Sequence, residues 1–370
     1  MLRSHAFLIV GLLFCSSGIV FSQTPPKNEK EEIIRVDTEL VDVPLSVTDR
    51  TGKPIKNLTR ANFSVYENGK LQKVEEFSAI DAPFEVALLL DTSGSTRSDL
   101  DLIRRAAQEF ISSLRPGDRV AITAFRSVVR GNRNISVPDT LTELTSDRSV
   151  LRNALERVGV GNGTPYYDSL AEIASRTFKL PPTEEFRGRR ALVALTDGVD
   201  STSVSSFPDA KNDLAAIGIS AYFININTRD FFEDQLLGNC EVAMRFSQGQ
   251  INRYFATFGK GSKVERPSNF CGLGEFEKLA ISKVLYETAE SEMSELAKIS
   301  GGRVFPAADL SEARKAFKQV ADEIGTRYSL GYYSTNETRD GKFRAIKVEL
   351  KNAPTGSMVR AREGYTAPAN

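Results

Sequence analysis

Residues 86–95 read VALLLDTSGS, and this stretch decides the fold. Val86–Leu90 is a run of five apolar residues, which is typical of a strand buried on both faces of a parallel sheet. Asp91, Ser93 and Ser95 follow at once with D-x-S-x-S spacing. In an open parallel sheet, ligands gather beyond the carboxyl ends of the strands. The stretch therefore predicts a buried strand that leads directly into a polar site.

Strands and helices alternate along the chain after this strand. Apolar residues recur at helical spacing from Leu100 to Leu114 and again over Leu310–Ile324. This alternation predicts an α/β fold with a doubly wound, mostly parallel, Rossmann-like sheet and helices on both faces. The other expected strands are Arg119–Phe125, Ala191–Leu195, Ile219–Ile226 and Arg303–Phe305, and the other expected helices are Ser149–Val158, Tyr166–Phe178, Ala210–Ile217 and Val284–Ile299.

Segments nearer the two ends of the chain have the period-two pattern of β strands. Val41–Val47 alternates between apolar and other residues, and Glu67–Lys70 is an Asn-Gly hairpin signal. Further strands are expected over Arg327–Ser334, Phe343–Lys351 and Met358–Arg362. We expect these C-terminal strands to complete the N-terminal ones as a smaller β-sandwich-like module, with the α/β domain inserted in it. The alternative is that separate β extensions flank the α/β domain.

The first residues have the pattern of a secretory signal peptide. Met1–Ser22 contains Arg3, then an almost uncharged apolar stretch, then small or medium residues at the cleavage positions. An N-terminal membrane anchor is the alternative, but the apolar stretch is short for a membrane span. The polar segment Gln23–Glu32 is an expected disordered tether. We therefore expect an exported protein, periplasmic or extracellular, with no stable membrane insertion after cleavage.

These patterns together predict a domain division and a disulfide. Residues 227–281 lack clear periodicity and are an expected insertion in the α/β domain. Cleavage of the signal would leave two cysteines, Cys240 and Cys271, which we expect to form a disulfide in an oxidising compartment. Two free thiols are the alternative if there is no export. The expected division is a signal peptide (1–22), a tether (23–32), an N-terminal β module (33–82), the α/β domain (83–326) and C-terminal β strands (327–366).

The composition excludes several function classes. The chain has 370 residues with 48 basic and 48 acidic side chains, and this balance argues against a nucleic-acid-binding protein. The only histidine, His5, lies in the expected signal peptide. Ser-His-Asp or Cys-His catalysis, histidine-ligated zinc and haem ligation through histidine are therefore all excluded for the mature chain.

Oxygen-bearing side chains recur on two further loops. Thr164 stands in a glycine-flanked turn before a helix, and Asp197 follows the expected strand Ala191–Leu195. Hydroxyls and carboxylates without His or Cys form a hard-oxygen site that suits Mg²⁺ or Mn²⁺. A simpler interpretation of Asp91 and its serines is capping of the next helix. Capping does not account for Thr164 and Asp197.

These residues together resemble the von Willebrand factor type A domain and its metal-ion-dependent adhesion site. The similarity lies in DxSxS after an apolar strand, a glycine-flanked threonine, and a strand-terminal TDG, and it covers about residues 84–326. The β segments at both ends resemble the exported bacterial proteins related to this family. We expect Ser93, Ser95 and Thr164 as direct metal ligands, with Asp91 and Asp197 close by through water. The insertion 227–281 is longer than the usual connection in the family.

The resemblance implies a binding function. We expect an exported module, not an enzyme, that uses Mg²⁺ or Mn²⁺ to capture an acidic residue of a protein partner. In a second hypothesis, the cation only stabilises the fold of a structural protein of the cell envelope. A Mg²⁺-dependent hydrolase with Asp91 as nucleophile is the remote alternative, because Ser93 stands where such phosphatases have a second Asp.

Overall fold

The β structure comprises a mostly parallel central sheet and two antiparallel sheets. The computed structural model describes residues 40–78, 83–93, 100–238, 246–258 and 270–369, and all of them belong to one unit, Thr38–Asn370. The strands are β1 (Leu40–Thr48), β2 (Phe63–Glu67), β3 (Lys70–Gln72), β4 (Val74–Ser78), β5 (Glu85–Leu90), β6 (Arg119–Arg130), β7 (Arg133–Thr145), β8 (Arg190–Thr196), β9 (Ser220–Ile226), β10 (Arg303–Ala307), β11 (Tyr328–Tyr333), β12 (Phe343–Leu350), β13 (Met358–Ala361) and β14 (Gly364–Thr366). The helices are α1 (Leu100–Ser113), α2 (Arg148–Glu156), α3 (Tyr166–Glu172), α4 (Phe207–Ile217), α5 (Arg229–Leu236), α6 (Gln248–Phe258), α7 (Glu275–Ser300) and α8 (Leu310–Ile324).

The central sheet has the strand order β10-β9-β8-β5-β6-β7. Every neighbouring pair is parallel except β6 with β7, which is antiparallel. All six residues of β5 are buried, because successive side chains point to opposite faces and both faces are covered. Val86 and Leu88 pack with residues of α1 and α8, whereas Ala87 and Leu89 pack with residues of α3, α4 and α7. The prediction of a doubly wound, mostly parallel sheet is therefore confirmed.

Each antiparallel sheet combines strands from the two ends of the chain. Their orders are β13-β1-β11-β4 and β14-β12-β2-β3. In the first sheet Val43 pairs with Leu330, and in the second Val65 pairs with Val348. Side chains of both sheets share one hydrophobic cluster, so the module is a small sandwich. In sequence, the α/β segment lies between its N-terminal and C-terminal strands. The boundaries 33–82, 83–326 and 327–366 stay a prediction.

Several elements differ from the sequence-based expectation. The edge strand β7 was missed, because its half-exposed residues give no apolar run of the kind that marks a buried strand. Helix α7 begins at Glu275, nine residues before the expected start at Val284. Helix α3 ends at Glu172 and continues as a π-helical turn over Ile173–Thr177.

The segment 227–281 contains regular structure that its sequence did not reveal. Helices α5 and α6 lie within it. Apolar residues from this segment, among them Leu236, Phe246 and Ile251, form a separate hydrophobic cluster with Leu285 and Ala289 of α7. The insertion therefore has its own small core, which packs on α7.

Some predictions concern residues that the structure does not describe. They are the signal peptide (1–22), the tether (23–32), Ser95 and Cys240. The pairing of Cys240 with Cys271 therefore stays a prediction. Within the described ranges, the helices are all too short or too polar to cross a membrane.

Candidate metal centre

Asp91 follows the last residue of β5, at the carboxyl end of the central sheet. Its N–H donates to the carbonyl of Leu195 at 2.9 Å, so the backbone is fixed by the ladder to β8. One carboxylate oxygen accepts from the N–H of Ser93 at 3.0 Å, and the other accepts from the hydroxyl of Thr196 at 2.7 Å. Asp91 is only 2% exposed. Its carboxylate is therefore held in one orientation.

Asp197 follows the end of β8, the strand beside β5. One carboxylate oxygen accepts from the N–H two residues further on at 2.9 Å, and the other accepts from the hydroxyl of Thr228 at 2.5 Å. Gly198 forms the turn, because its φ of +73° lies in the left-handed region that glycine adopts without strain. The Gly198 N–H donates to the Thr196 hydroxyl oxygen at 2.9 Å. Since that hydroxyl also donates to Asp91, Thr196 connects the two acidic turns.

Thr164 reaches the same edge through the glycine-rich loop before α3. The Gly161 N–H donates to the carbonyl of Thr92 at 2.8 Å, which places this loop next to the turn after β5. A Cβ atom on Gly161 would lie 2.7 Å from Oγ of Ser136, so the close approach requires glycine. The N–H of Thr164 donates to the Ser201 hydroxyl at 2.8 Å, and its carbonyl accepts from the Ser201 N–H at 2.9 Å. These bonds hold Thr164 beside the turn after β8.

Four of the five predicted ligands therefore lie at one edge of the sheet: Asp91, Ser93, Thr164 and Asp197 are described there, and each is buried. Ser95 lies outside the described residues. Where the chain is described, no group of three or more His, Cys, Asp or Glu is arranged to hold a metal. A site that draws on serine and threonine hydroxyls does not require such a group. Metal binding by these residues stays a prediction.

Burial and mutual repulsion change the acidity of the two carboxylates. Burial raises the pKa of Asp91, while hydrogen bonds from Ser93 and Thr196 oppose that rise. For Asp197 burial is again the largest cause, and the negative charge of Asp91 adds to it, so the pKa rises from 3.8 to about 7. A cation bound beside the two carboxylates would lower both pKa values by favouring the charged forms. The donor chemistry and the charge therefore both fit a hard divalent cation.

A third carboxylate, Asp200, was missed by sequence reasoning, because nothing in its spacing distinguishes it from a surface acid. One of its oxygens accepts from the N–H groups of Tyr166 at 3.0 Å and Tyr167 at 3.4 Å, at the start of α3. The other accepts from Nη2 of Arg253 at 2.9 Å. The negative charge of Asp200 raises the pKa of Asp91. Since Arg253 belongs to α6, the insertion reaches the surroundings of the site.

Thr228 is a further residue of the insertion that sequence reasoning missed. Its hydroxyl bonds to Asp197 and lies 2.9 Å from the hydroxyl of Tyr286 on α7. On the same helix, Glu292 accepts from the hydroxyl of Tyr167 at 2.6 Å. Helix α7 and the residues after β9 thus form a second layer of contacts behind the acidic turns.

The comparison with protein families confirms the expected resemblance to the von Willebrand factor type A domain over part of the range 84–326. Residues 86–199 match the family model of the von Willebrand factor type A domain. This match includes all of β5 except its first residue, the glycine-rich loop and the turn after β8, and thus all five predicted ligands. No curated protein matches the chain.

The solved structures that match the chain include several proteins of low sequence identity. A von Willebrand factor type A protein from Catenulispora acidiphila is 12% identical, with 84% of this chain and 74% of that chain covered and a TM-score of 0.42. BatB from Bacteroides thetaiotaomicron is 18% identical, with 65% and 98% covered and a TM-score of 0.38. Proximal thread matrix protein 1 from the mussel byssus, with a zinc-occupied MIDAS motif, is 13% identical, with 70% and 49% covered and a TM-score of 0.43. This chain therefore spans about half the length of the mussel protein.

Proposed function

We propose that this chain, which carries a von Willebrand factor type A domain, is a metal-dependent binding protein and not an enzyme. Asp91, Ser93, Ser95, Thr164 and Asp197 would hold Mg²⁺ or Mn²⁺, and the cation would bind a carboxylate of a protein partner. One observation supports this most directly. Two buried carboxylates lie with Ser93 and Thr164 at the carboxyl edge of the sheet.

The type of donor explains why a partner carboxylate is the proposed ligand. Hydroxyl ligands from Ser93, Ser95 and Thr164 carry no charge, so a bound cation would keep much of its attraction for an outside anion. Mg²⁺ takes near-octahedral oxygen ligands and retains several waters, and one of those positions would be open to the partner. Asp91 and Asp197 would orient water and supply negative charge without displacing the partner.

We also propose that the protein acts outside the cytoplasm, in the periplasm or the extracellular space. The signal-peptide pattern of Met1–Ser22 supports this location. The pairing of Cys240 with Cys271 belongs to the same proposal, because an oxidising compartment favours disulfides. Mass spectrometry of non-reduced, exported protein tests the pairing. Two free thiols would contradict it.

The first experiment measures Mg²⁺ and Mn²⁺ binding to the full chain by calorimetry, with EDTA-treated protein as the starting material. The double variant Ser93→Ala, Ser95→Ala should bind neither ion, while its circular dichroism stays unchanged. Ser112→Ala, at an exposed position of α1, is the matched control and should bind like the wild type. Equal binding by the double variant would contradict the proposed ligand set.

The second experiment tests the partner chemistry. A displayed random-peptide library is selected on the full chain in Mg²⁺ and eluted with EDTA. We expect the eluted peptides to be enriched in Asp or Glu, and replacement of that residue by its amide should abolish binding. If the cation binds but the eluted peptides show no acidic enrichment, the cation has a structural role, as in the second hypothesis.

A further inference from the structure

A cavity lies at the opposite end of the α/β domain from the candidate metal centre. Its volume is about 270 Å³, and it is lined by α4, the start of β9, the end of α7 and the strands β12 and β14. Because β9 runs toward the metal-centre edge, residues at its start lie at the far edge of the sheet. The apolar part of the wall consists mainly of Leu214, Ile219, Leu296, Ile299 and Phe343.

Arg362 lines this cavity, and no acidic side chain of the described residues lies at ion-pair distance from it. It is 8% exposed, and its Nε donates to the carbonyl of Gly364 at 2.9 Å. Its Nη1 donates to the carbonyl of Asp42 at 3.3 Å. Within the described ranges, Arg362 forms no ion pair, and its Nη2 donates to no described group. Burial lowers the pKa of Arg362, and electrostatic interactions with Tyr332 and Asp42 only partly oppose this.

A helix end and an aromatic ring compensate part of the charge of Arg362, whose Cζ lies 5.8 Å from the centroid of the Tyr365 ring. A Cβ atom on Gly218, which caps α4, would lie 2.8 Å from Nη1 of Arg362, so the guanidinium packs against the C-terminus of that helix. A helix C-terminus carries about half a negative charge. The full positive charge of Arg362 is therefore only partly neutralised, and burial of a charge without a direct ion pair is costly.

The other charged residue of the wall is also basic. Lys211 lies on α4 and pairs with Glu295 at 2.8 Å. The described residues that line the cavity include no Asp or Glu. A small cavity with apolar walls and two basic side chains, one of them buried, favours a ligand that combines an anionic head with an apolar body.

We propose that this cavity binds a small carboxylic acid with an unbranched apolar chain. The carboxylate would accept from Nη2 of Arg362, because guanidinium and carboxylate form charge-assisted hydrogen bonds. The apolar chain would lie along Leu214, Ile219 and Ile299. At about 30 Å³ for a water-sized group, the cavity holds roughly nine such groups. This size matches an acid of six to eight carbon atoms.

The test titrates octanoate into the full chain in EDTA, so that the result does not depend on a bound cation. Octanol and octylamine are the comparison ligands, and inorganic phosphate tests an anion without an apolar chain. We expect octanoate to bind about tenfold more tightly than octanol, the difference that one charge-assisted hydrogen bond supplies. Octylamine and phosphate should not bind measurably. Equal affinity for octanoate and octanol, or no octanoate binding, would overturn the proposal.

Two variants on one helix assign the binding to this cavity. Ala215→Leu adds bulk inside the cavity, because Ala215 lines it, and should abolish octanoate binding. Ala216→Leu adds the same bulk at the next, exposed position and should bind like the wild type. Arg362→Gln should reduce the affinity for octanoate to that for octanol. Unchanged octanoate binding by Ala215→Leu would place the ligand elsewhere and overturn the assignment.

Discussion

Replacement of Asp197 by Asn removes one of the two buried carboxylates at the metal-centre edge. We expect this change to have opposite effects on stability with and without a divalent cation. In EDTA, Asp91 and Asp197 repel each other, so the variant should be more stable than the wild type. In Mg²⁺ the wild type should gain stability from the cation, and the variant should not.

The structure sets the size of the effect in EDTA. The pKa of Asp197 rises from 3.8 to about 7, which corresponds to about 4 kcal/mol lost by the wild type above pH 7, at about 1.36 kcal/mol for each pKa unit. The amide keeps one acceptor for the N–H two residues further on but replaces the oxygen that accepts from Thr228. That replacement costs about 1–2 kcal/mol. The expected net gain of the variant is therefore about 2–3 kcal/mol.

The pH dependence follows from the direction of the shift. A carboxylate whose pKa is higher in the folded state binds its proton more tightly there than in the unfolded state. Its contribution to stability is fully present below pH 3.8 and is lost as the pH rises to about 7. In EDTA, the stability of the wild type should fall as the pH rises over this range, and the stability of Asp197→Asn should fall less steeply. Burial also raises the pKa of Asp91 and Asp200, so part of the slope should remain.

The assay is urea unfolding at pH 5, 6, 7 and 8, in EDTA and in Mg²⁺. A cation at about 100 times its dissociation constant adds about 2.7 kcal/mol to the wild type. Asp213→Asn, at an exposed position of α4, is the matched control and should behave like the wild type throughout. The reasoning is refuted if Asp197→Asn is less stable than the wild type in EDTA and has the same pH slope.

Two further substitutions test the turn after β8 and the ion pair to α6. Gly198→Ala should lower the free energy of unfolding by about 2–4 kcal/mol, because the φ of Gly198 is +73° and the new Cβ would lie 3.0 Å from Cε of Met293. The control Gly131→Ala, at a φ of +59° in open surroundings, should lower it by about 1–2 kcal/mol. Equal losses of the two variants in urea unfolding would contradict the role of Met293. Arg253→Met should cost about 1–3 kcal/mol at pH 8, because the buried Asp200 loses its ion pair while Arg253 is itself 35% exposed. The loss should shrink toward pH 5, and a loss independent of pH would count against this ion pair.

The sequence predicts the site well where its residues follow buried strands. Val86–Leu90 is apolar throughout, so it could only be an interior strand, and Asp91 had to lie at its carboxyl end. The same reasoning places Asp197 after β8. Thr164 is less direct, because its position depends on hydrogen bonds from Gly161 to Thr92 and from Ser201 to Thr164.

The parts that the sequence did not reveal depend on contacts between distant segments. The edge strand β7 pairs with β6 through an antiparallel ladder, and its half-exposed residues have no strong periodicity. The first turns of α7 contain the charged residues Glu275, Glu277 and Lys278, and the exposed Phe276 gives them no apolar face. Helix formation there is supported by packing against α5 and α6. This packing cannot be predicted from the local sequence.

The candidate metal centre also has one part that local sequence determines and one part that depends on contacts between distant segments. The hydroxyl groups of Ser93 and Thr164 come from short motifs, one after a buried strand and one in the loop before α3, so the type of donor is fixed locally. The carboxylates of Asp197 and Asp200 are bonded by Thr228 and Arg253, which both belong to the insertion. Because these contacts reach the carboxylates, the insertion can change the charge and orientation at the site without changing the predicted hydroxyl ligands. The length of the segment 227–281 is therefore compatible with an unchanged ligand set. Sequence changes in this segment would alter how strongly the proposed site binds its cation.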